Sequence, residues 1–296
     1  MKKLVIFGVG LIGGSVALAL KSNKAALALK KATSRAHIVG VGRRVESLDA
    51  ALKLGVIDSA EINIKAACND ADVILIAVPV AQTKAILQSI KPHLNSKTVI
   101  TDAGSTKVDI LASAREILGE KFGQFVGGHP IAGAEKSGVA AAKSDLFLGK
   151  NVVLTPTPET NRDAVASIAD FWRSCGANVS EMSAETHDSI FAAVSHLPHL
   201  LAFALVDDIA SRPNAEQLFS FAASGFRDFT RIAGSHPEMW CDISLANKTA
   251  LLSEINAFET ELSQLKQLLK NEDGAGLQAL FERASVARNN WAKSKI

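Results

Sequence analysis

A short apolar segment followed at once by three spaced glycines is the feature that most constrains this chain. The segment from Lys3 to Phe7 runs directly into Gly8-Val9-Gly10-Leu11-Ile12-Gly13, and a helical pattern follows. Between a strand and a helix, the first glycine permits a tight turn, the second lets the backbone approach a pyrophosphate, and the third allows close packing. The start of the helix, with Leu11 and Ile12, offers unpaired N–H groups to phosphate. The loop therefore predicts a dinucleotide site, although a glycine-rich turn without a ligand would also fit the pattern.

Alternation of strand-like and helix-like segments extends this reading over the first part of the chain. Because strands that alternate with helices form parallel sheets covered on both faces, residues 1–182 are predicted to form an α/β, Rossmann-type doubly wound domain. The predicted strands are Lys3–Phe7, His37–Val41, Val73–Val78, Thr98–Thr101, Phe125–Gly127, Val152–Leu154 and Ala177–Met182. The predicted helices are Gly13–Lys21, Val45–Leu54, Gln82–Ile90, Lys107–Leu118 and Asn161–Cys175, with extra helix and loop over 22–36.

Beyond residue 182 the strand-like segments stop and helical periodicity takes over. Pro198 and Pro213 are the expected kinks or ends. Residues 183–296 are therefore predicted to form an all-α domain. Its predicted helices are Ala184–Ala210, Ala215–Ala223, Pro237–Lys270 and Ala275–Trp291.

Composition excludes several classes of function. The formal net charge of +2 gives no basic field for binding nucleic acid. The three cysteines are far apart and form no CxxC pair, which argues against a disulfide framework or zinc site and favours a cytoplasmic location. No uninterrupted apolar run approaches the roughly 18–20 residues of a membrane span, and no signal peptide is expected at the N-terminus. We therefore expect no metal, membrane or nucleic-acid partner.

The end of the second predicted strand bears on the choice of cofactor. An acidic residue at this point binds the ribose of NAD, whereas a nearby arginine accommodates the 2′-phosphate of NADP. Here the strand is followed by Arg43 and Arg44, and the first acidic residue is Glu46. This pattern favours NADP and leaves NAD possible, while a solvated basic turn remains the alternative. Val78, which ends another predicted strand, Pro79 after it and Ser105 are the other residues predicted to bind the cofactor.

Three further clusters lie beyond the glycine loop. They are Thr101-Asp102-Ala103-Gly104-Ser105, the segment from Gly127 to Gly138 that contains GGHPIAG, and Ser195-His196-Leu197-Pro198-His199 followed by residues 225–233. Together with the loop they resemble the prephenate/arogenate dehydrogenase family of tyrosine biosynthesis over residues 3–269. The resemblance implies oxidative decarboxylation of prephenate, giving 4-hydroxyphenylpyruvate, or of arogenate, giving tyrosine, with hydride transfer to NAD(P).

The resemblance also assigns the two catalytic residues. His129 matches the family's catalytic histidine, and an imidazole suits a general base because it accepts a proton near neutral pH. Ser105 matches the family serine that hydrogen-bonds this histidine and the substrate hydroxyl. Structural roles are the alternatives, namely a packed histidine before Pro130 and a helix cap at Ser105 or in the capping-box pattern from Thr106 to Asp109.

The remaining assignments concern the substrate. Ser195 and His199 are four residues apart, so they share one helix face, and the family implies that they face substrate. Arg231 matches the arginine that binds the substrate carboxylate, with Arg227 as its competitor. Gly225 ends a segment that has fewer glycines than many relatives. The family also implies roles for Glu135 at the site entrance and for Trp240 in reaching the neighbouring subunit's site, against a solvated glutamate and simple core packing.

Assembly and competing functions stay open at this stage. Apolar residues at helical spacing in Ile243–Ile255 and Phe258–Leu269 favour a homodimer through the helical domain, although such stripes also occur in plain cores. No regulatory domain or chorismate mutase is expected in this chain. A β-hydroxyacid dehydrogenase or imine reductase of similar architecture, or a dinucleotide sensor without catalysis, are the alternatives. The sequence leaves prephenate and arogenate equally open.

Overall fold

The structure is a computed structural model that describes residues 1–22, 36–134 and 136–293. The extra helix and loop predicted over 22–36 lie almost wholly outside these residues. The described chain separates into two compact units, Met1–Lys248 and Thr249–Ile296. The predicted domain boundary after residue 182 stays a prediction.

The first unit is built on an eight-stranded sheet in the order β3-β2-β1-β4-β5-β6-β7-β8. Neighbouring strands from β3 to β6 are parallel, β7 is antiparallel to β6, and β8 is parallel to β7. The strands are β1 (Lys3–Phe7), β2 (His37–Val41), β3 (Ser59–Glu61), β4 (Val73–Ile76), β5 (Val99–Asp102), β6 (Phe125–Pro130), β7 (Asn151–Thr155) and β8 (Asn178–Glu181).

Helices alternate with these strands and then continue alone. Those of the alternating part are α1 (Leu11–Lys21), α2 (Val45–Lys53), α3 (Ile64–Cys68), α4 (Thr83–Ile90), α5 (Val108–Leu118) and α6 (Arg162–Ser174). Those that follow in the first unit are α7 (Ala184–Phe191), α8 (Leu197–Ala210), α9 (Ala215–Ser220), α10 (Ser224–Thr230) and α11 (Pro237–Ala246). A π-helical turn, Ala192–His196, joins α7 to α8. The second unit contains most of α12 (Lys248–Lys270) and α13 (Gly274–Lys293).

Alternation along β1 explains why both faces of the sheet are covered. Leu4 and Ile6 belong to one buried cluster, which includes Trp172 of α6. Val5 and Phe7 point the other way into a second cluster, packed by residues of α4, α5 and α11. A strand buried on both sides is typical of a doubly wound sheet. The predicted α/β Rossmann-type architecture followed by helices is confirmed.

Some predicted details were wrong. The reversal of β7 was not anticipated, and β3, α3 and α10 were missed because they are short and carry no clear period. Among the described residues, the helical stretch Ala184–Ala210 is long and apolar enough to span a membrane by length and composition. The sequence analysis missed it because it counted uninterrupted apolar runs, whereas scattered polar residues occur along this stretch.

Candidate active site

The carboxyl ends of β1, β4, β5 and β6 lie at one edge of the sheet, because these strands are parallel neighbours. Ligands of such sheets bind at this edge. The glycine loop follows β1, Val78 and Pro79 follow β4, Ser105 follows β5, and His129 lies at the end of β6. The fold therefore brings the predicted cofactor and catalytic residues of the first domain to the same edge.

The three loop glycines meet different constraints. Gly8 has φ of +91°, and a Cβ atom there would lie 2.5 Å from the carbonyl oxygen of Ala77. A Cβ atom on Gly13 would collide with the carbonyl oxygen of Gly8. Gly10 has open space, with nothing within 4 Å of the position its Cβ would take. A tight turn, an open approach and a close helix contact are what the sequence pattern predicted for these three positions.

The residues of this loop fit a dinucleotide. Gly10 caps α1 without a side-chain hydrogen bond, so no side chain of the cap competes for the N–H groups of Leu11 and Ile12. These N–H groups stand at the positive end of the helix dipole, where a phosphate is stabilised. Val78 lies directly beneath the loop, since a Cβ on Gly8 would lie 2.8 Å from its Cγ1. Pro79 is exposed beside it and precedes a 3₁₀ turn.

The two arginines predicted to select the cofactor lie close to this loop. The N–H of Gly8 donates to the carbonyl oxygen of Val41, 3.0 Å away, so the end of β2 adjoins the first glycine. Arg43 and Arg44 follow and are exposed. The first acidic side chain after the strand is that of Glu46, already in the first turn of α2.

His129 stands at the boundary between the protein interior and the open edge. It is the penultimate residue of β6, and the residue as a whole is partly exposed. Its Nδ1 lies 2.8 Å from Nε2 of His187, and the Phe191 ring packs 4.8 Å from its centroid. Burial, followed by the neighbouring His187, holds the pKa of His129 well below its ordinary value. The imidazole is therefore neutral near pH 7, as a general base must be.

Two residues behind His129 were missed by the sequence analysis. His187 Nδ1 lies 2.7 Å from Oδ1 of Asp188, and both side chains are buried. The Asp188 carboxylate also accepts the backbone N–H groups of Lys107 at 2.8 Å and Val108 at 2.9 Å. Their only sequence signal is an adjacent histidine and aspartate within the apolar stretch that begins at Ala184.

This arrangement corrects the predicted helix cap. α5 begins at Val108, and neither Ser105 nor the Thr106–Asp109 pattern caps it through a side-chain hydrogen bond. The carboxylate of Asp188, distant in sequence, instead accepts the N–H groups of Lys107 and Val108 at the start of the helix. A carboxylate at this position is also stabilised by the helix dipole.

A buried ion pair fixes the backbone beside His129. The ammonium of Lys107 contacts the carboxylate of Asp102, and neither residue is exposed to solvent. Lys107 also donates to the carbonyl oxygen of Gly128 at 2.8 Å, and Asp102 accepts the N–H of Gly128 at 3.0 Å. Both backbone groups of the residue before His129 are therefore held by one ion pair, which the sequence analysis did not assign.

Ser105 lies in the loop between this ion pair and α5. It is partly exposed at the site edge, and no hydrogen bond joins it to His129 within the described ranges. The loop itself is fixed, because the N–H of Gly104 donates to Asp102 at 2.8 Å. Ser105 is therefore a partly exposed residue in a loop whose backbone is fixed by hydrogen bonding.

The residues predicted to face substrate form a second group around His199. Its Nδ1–H donates to the carbonyl oxygen of Ser195 at 2.8 Å, so the two residues adjoin across one helical turn. The ring stacks on Trp240, with centroids 3.5 Å apart and planes 19° from parallel. Burial first, and the charge of Arg231 last, lower the pKa of His199, which indicates that Arg231 is near.

The other members of this group differ in exposure. Arg231 begins a 3₁₀ turn after α10 and is exposed, as is Gly225 near the start of α10. Trp240 is buried against His199 of its own chain, and its indole N–H meets no hydrogen-bond partner among the residues that the structure describes. His196 is buried and contacts Asn247, which is a structural role. Glu135 lies outside the described residues.

Within the described ranges, no group of three His, Cys, Asp or Glu side chains is arranged to hold a metal ion. The thiols of Cys68, Cys175 and Cys241 are free. The site therefore consists of a dinucleotide loop, a neutral histidine backed by a buried histidine and carboxylate, and a separate histidine beside an arginine.

Comparisons with known proteins agree with this arrangement. A family model described as the prephenate dehydrogenase nucleotide-binding domain matches residues 25–181. A second model, the prephenate dehydrogenase dimerization domain, matches residues 183–283. The prephenate dehydrogenase of Bacillus subtilis is 38% identical, over 97% of this chain and 75% of that protein. The cyclohexadienyl dehydrogenase of Zymomonas mobilis is 33% identical, over 97% of this chain and 95% of that protein.

Solved structures give the same result. The prephenate dehydrogenase of A. aeolicus, in complex with hydroxyphenyl propionate and NAD+, superposes with a TM-score of 0.89 at 37% identity and covers 97% of each chain. The arogenate dehydrogenase of Synechocystis superposes with a TM-score of 0.80 at 27% identity, over 98% of this chain and 99% of the other.

Proposed function

The chain belongs to the prephenate dehydrogenase family, and on that basis we propose that it oxidatively decarboxylates prephenate, with hydride transfer to a nicotinamide dinucleotide. The observation that carries the proposal is the position of His129. Its neutral, partly exposed imidazole stands at the sheet edge that also carries the dinucleotide loop. A base and a hydride acceptor at one edge are what oxidation of an alcohol requires.

The reaction assigns tasks to the chain's own residues. His129 takes the proton of the C4 hydroxyl as the C4 hydrogen leaves as hydride. Ser105 donates a hydrogen bond to the same hydroxyl oxygen. Arg231 pairs with a substrate carboxylate. His199 and Ser195 contact the substrate beside it. The bound dinucleotide supplies the hydride acceptor. The ring carboxylate then leaves as CO2, and the electron pair of the broken C–C bond enters the ring, which becomes aromatic. The C4 oxygen regains a proton from His129, which gives 4-hydroxyphenylpyruvate.

A steady-state assay that crosses prephenate and arogenate with NAD and NADP tests the proposal. Prephenate should reduce at least one cofactor. The His129→Asn variant should lose roughly 10²–10⁴-fold in kcat and still bind cofactor. His37→Asn is the matched control, because His37 begins β2 at the opposite edge of the sheet. Full activity of His129→Asn would contradict the assignment of His129 as the base, whereas no reduction of either cofactor by prephenate would favour a dinucleotide sensor.

The cofactor preference follows from the end of β2. We propose that NADP is used at least as well as NAD, because Arg43 and Arg44 are exposed beside the glycine loop and no acidic residue precedes Glu46. Guanidinium groups bind phosphate in a bidentate manner. Arg43→Ala and Arg44→Ala should lower kcat/KM for NADP more than for NAD. A strong preference for NAD that survives Arg43→Ala would contradict this assignment.

Support for a homodimer comes from the helices of the second unit and from the apolar stripes Ile243–Ile255 and Phe258–Leu269, for which the sequence predicts a dimer. No residue of α13 is buried. Large apolar side chains of α12 and α13 are more than two-fifths exposed, namely those of Leu252, Leu262, Leu269, Phe281, Val286 and Trp291. Exposed apolar area on this scale indicates a missing partner. We propose that a second copy covers it, in keeping with the family's dimerization domain.

Sedimentation measures this directly. The chain should sediment as a dimer at micromolar concentration, and Phe281→Glu should shift it toward monomer. Glu282→Lys, which changes a polar neighbour on α13, is the control. A monomer at that concentration would overturn the dimer.

A further inference from the structure

We propose that His187 and Asp188 are positioning residues, which hold His129 in the one neutral tautomer that leaves its Nε2 free to accept a proton. The proposal rests on the proposed function in that it takes His129 as the base. Neither residue carries a recognisable sequence motif, and both lie on α7, outside the elements that bear the predicted catalytic residues.

The hydrogen bonds of Asp188 determine which nitrogen of His187 carries its proton. Its Oδ1 accepts the N–H of Lys107 and its Oδ2 accepts the N–H of Val108. Backbone N–H groups can only donate, and the N-terminus of a helix favours a negative charge. The carboxylate is therefore an acceptor, and the Nδ1 of His187, 2.7 Å from Oδ1, has to carry the proton.

The protonation of His187 in turn determines the tautomer of His129. A neutral imidazole that donates from Nδ1 has its lone pair on Nε2. His187 Nε2 then accepts the proton on Nδ1 of His129 across 2.8 Å. His129 in turn keeps its own lone pair on Nε2, the nitrogen that faces away from His187. Burial also lowers the pKa of both rings, which favours the neutral forms that this chain of bonds requires.

Packing holds the three side chains in place. His187 and Asp188 are almost fully buried, at 0% and 3% exposure, whereas His129 is partly open. Phe191 contacts both rings, with centroid distances of 4.8 Å to His129 and 4.5 Å to His187. The Nδ2 of Asn247 donates to the carbonyl oxygen of Asp188 at 2.8 Å. Asp188 accepts the N–H groups at the start of α5 without help from His187. The cap therefore does not explain why His187 lies between Asp188 and His129.

The same hydrogen bond is kept when His129 takes the proton. When His129 takes a proton at Nε2 it becomes a cation, and its Nδ1–H remains hydrogen-bonded to a histidine that a carboxylate backs. A carboxylate that orients a histidine and stabilises its charged form is the logic of the Ser-His-Asp triad. Here a second imidazole, that of His187, lies between the carboxylate and the base.

Nitrogen-15 NMR of the histidine rings in the unliganded wild-type chain tests the tautomer without any substrate. The expected spectrum has a protonated Nδ1 and an unprotonated Nε2 on both His129 and His187. A His129 ring protonated at Nε2 would overturn the proposal. Because no turnover is measured, the tautomer can be correct even if prephenate is not the substrate, so failure of one claim is distinguishable from failure of the other.

Two substitutions of His187 separate positioning from folding. His187→Phe keeps a ring against Phe191 but removes the acceptor, so kcat should fall roughly 10²–10⁴-fold while KM and cofactor affinity change little. His187→Gln places an amide oxygen near the position of Nε2 and should recover part of kcat. His37→Gln is the control. An unchanged kcat in a folded His187→Phe variant, or equal losses in kcat and cofactor affinity, would overturn the positioning role.

Discussion

At the scale of single residues, the environment of His129 determines what it can do. Its pKa is lowered first by burial and then by the nearby His187, Lys107 and His196. A base works only while it is neutral, and a lowered pKa keeps it neutral to a lower pH.

The pH dependence of kcat/KM checks this. Because the pKa of His129 lies well below 6.5, the rate should stay on its plateau as the pH falls through 6.5 and decline only at more acidic pH. The measurement is kcat/KM over a series of buffers from roughly pH 5 to 8, the range in which histidine titrates. An acidic limb with its midpoint above 6.5 would contradict the described environment.

At the scale of elements, the end of β6 is held by the Lys107–Asp102 ion pair. Removing one partner of a buried pair leaves an uncompensated charge, which costs about 3–5 kcal/mol. Lys107→Met should therefore lower the free energy of unfolding by about that amount, measured by urea denaturation. The matched control is Lys84→Met, because the Lys84–Glu116 pair is exposed and should contribute less than about 1 kcal/mol.

A double substitution distinguishes lost charge pairing from lost packing. Gly104 and Gly128 donate to different oxygens of Asp102, so Asp102→Asn keeps an acceptor for only one of these N–H groups, but it removes the charge that Lys107→Met leaves unpaired. The double variant should consequently be more stable than Lys107→Met alone. If the two losses simply add, the ion pair is not what stabilises this region.

Elements also show how far the sequence alone could lead. The glycine loop, β1 and the alternation of strands and helices were predictable, because their constraints are local. The hydrogen bonds between Asp188 and the N-terminus of α5 were not predictable. They join Asp188 to Lys107 and Val108, which are separated from it by 81 and 80 positions in the sequence. His187 gave no signal for a similar reason, because its partner His129 is 58 positions away. For Glu135 the predicted role stays a prediction.

At the scale of the whole molecule, the buried histidines couple stability to pH. Burial lowers the pKa of His196 from 6.5 to about 4 and lowers those of His129, His187 and His199. Below pH 6.5 the unfolded chain binds protons at these sites that the folded chain does not, so stability is lost as the pH falls. His196 alone should cost about 3 kcal/mol between pH 6.5 and 4.

Urea denaturation at a series of pH values measures this loss. The free energy of unfolding should be nearly constant above pH 7 and should fall steadily from pH 6.5 toward 4. His196→Asn should flatten part of the slope, because it removes one of the contributing groups. A free energy of unfolding that stays constant over this interval would mean that the histidines keep their ordinary pKa in the folded chain.

The central claim is that one site couples hydride transfer to decarboxylation of prephenate. The most direct measurement is the stoichiometry of a single incubation with prephenate, with reduced cofactor followed by absorbance and CO2 and 4-hydroxyphenylpyruvate quantified together. We expect equal molar amounts of reduced cofactor, CO2 and 4-hydroxyphenylpyruvate from the wild-type chain, and almost none of the three from His129→Asn. Reduction of cofactor without release of CO2, or no reduction by prephenate in a chain that binds the cofactor, would contradict it.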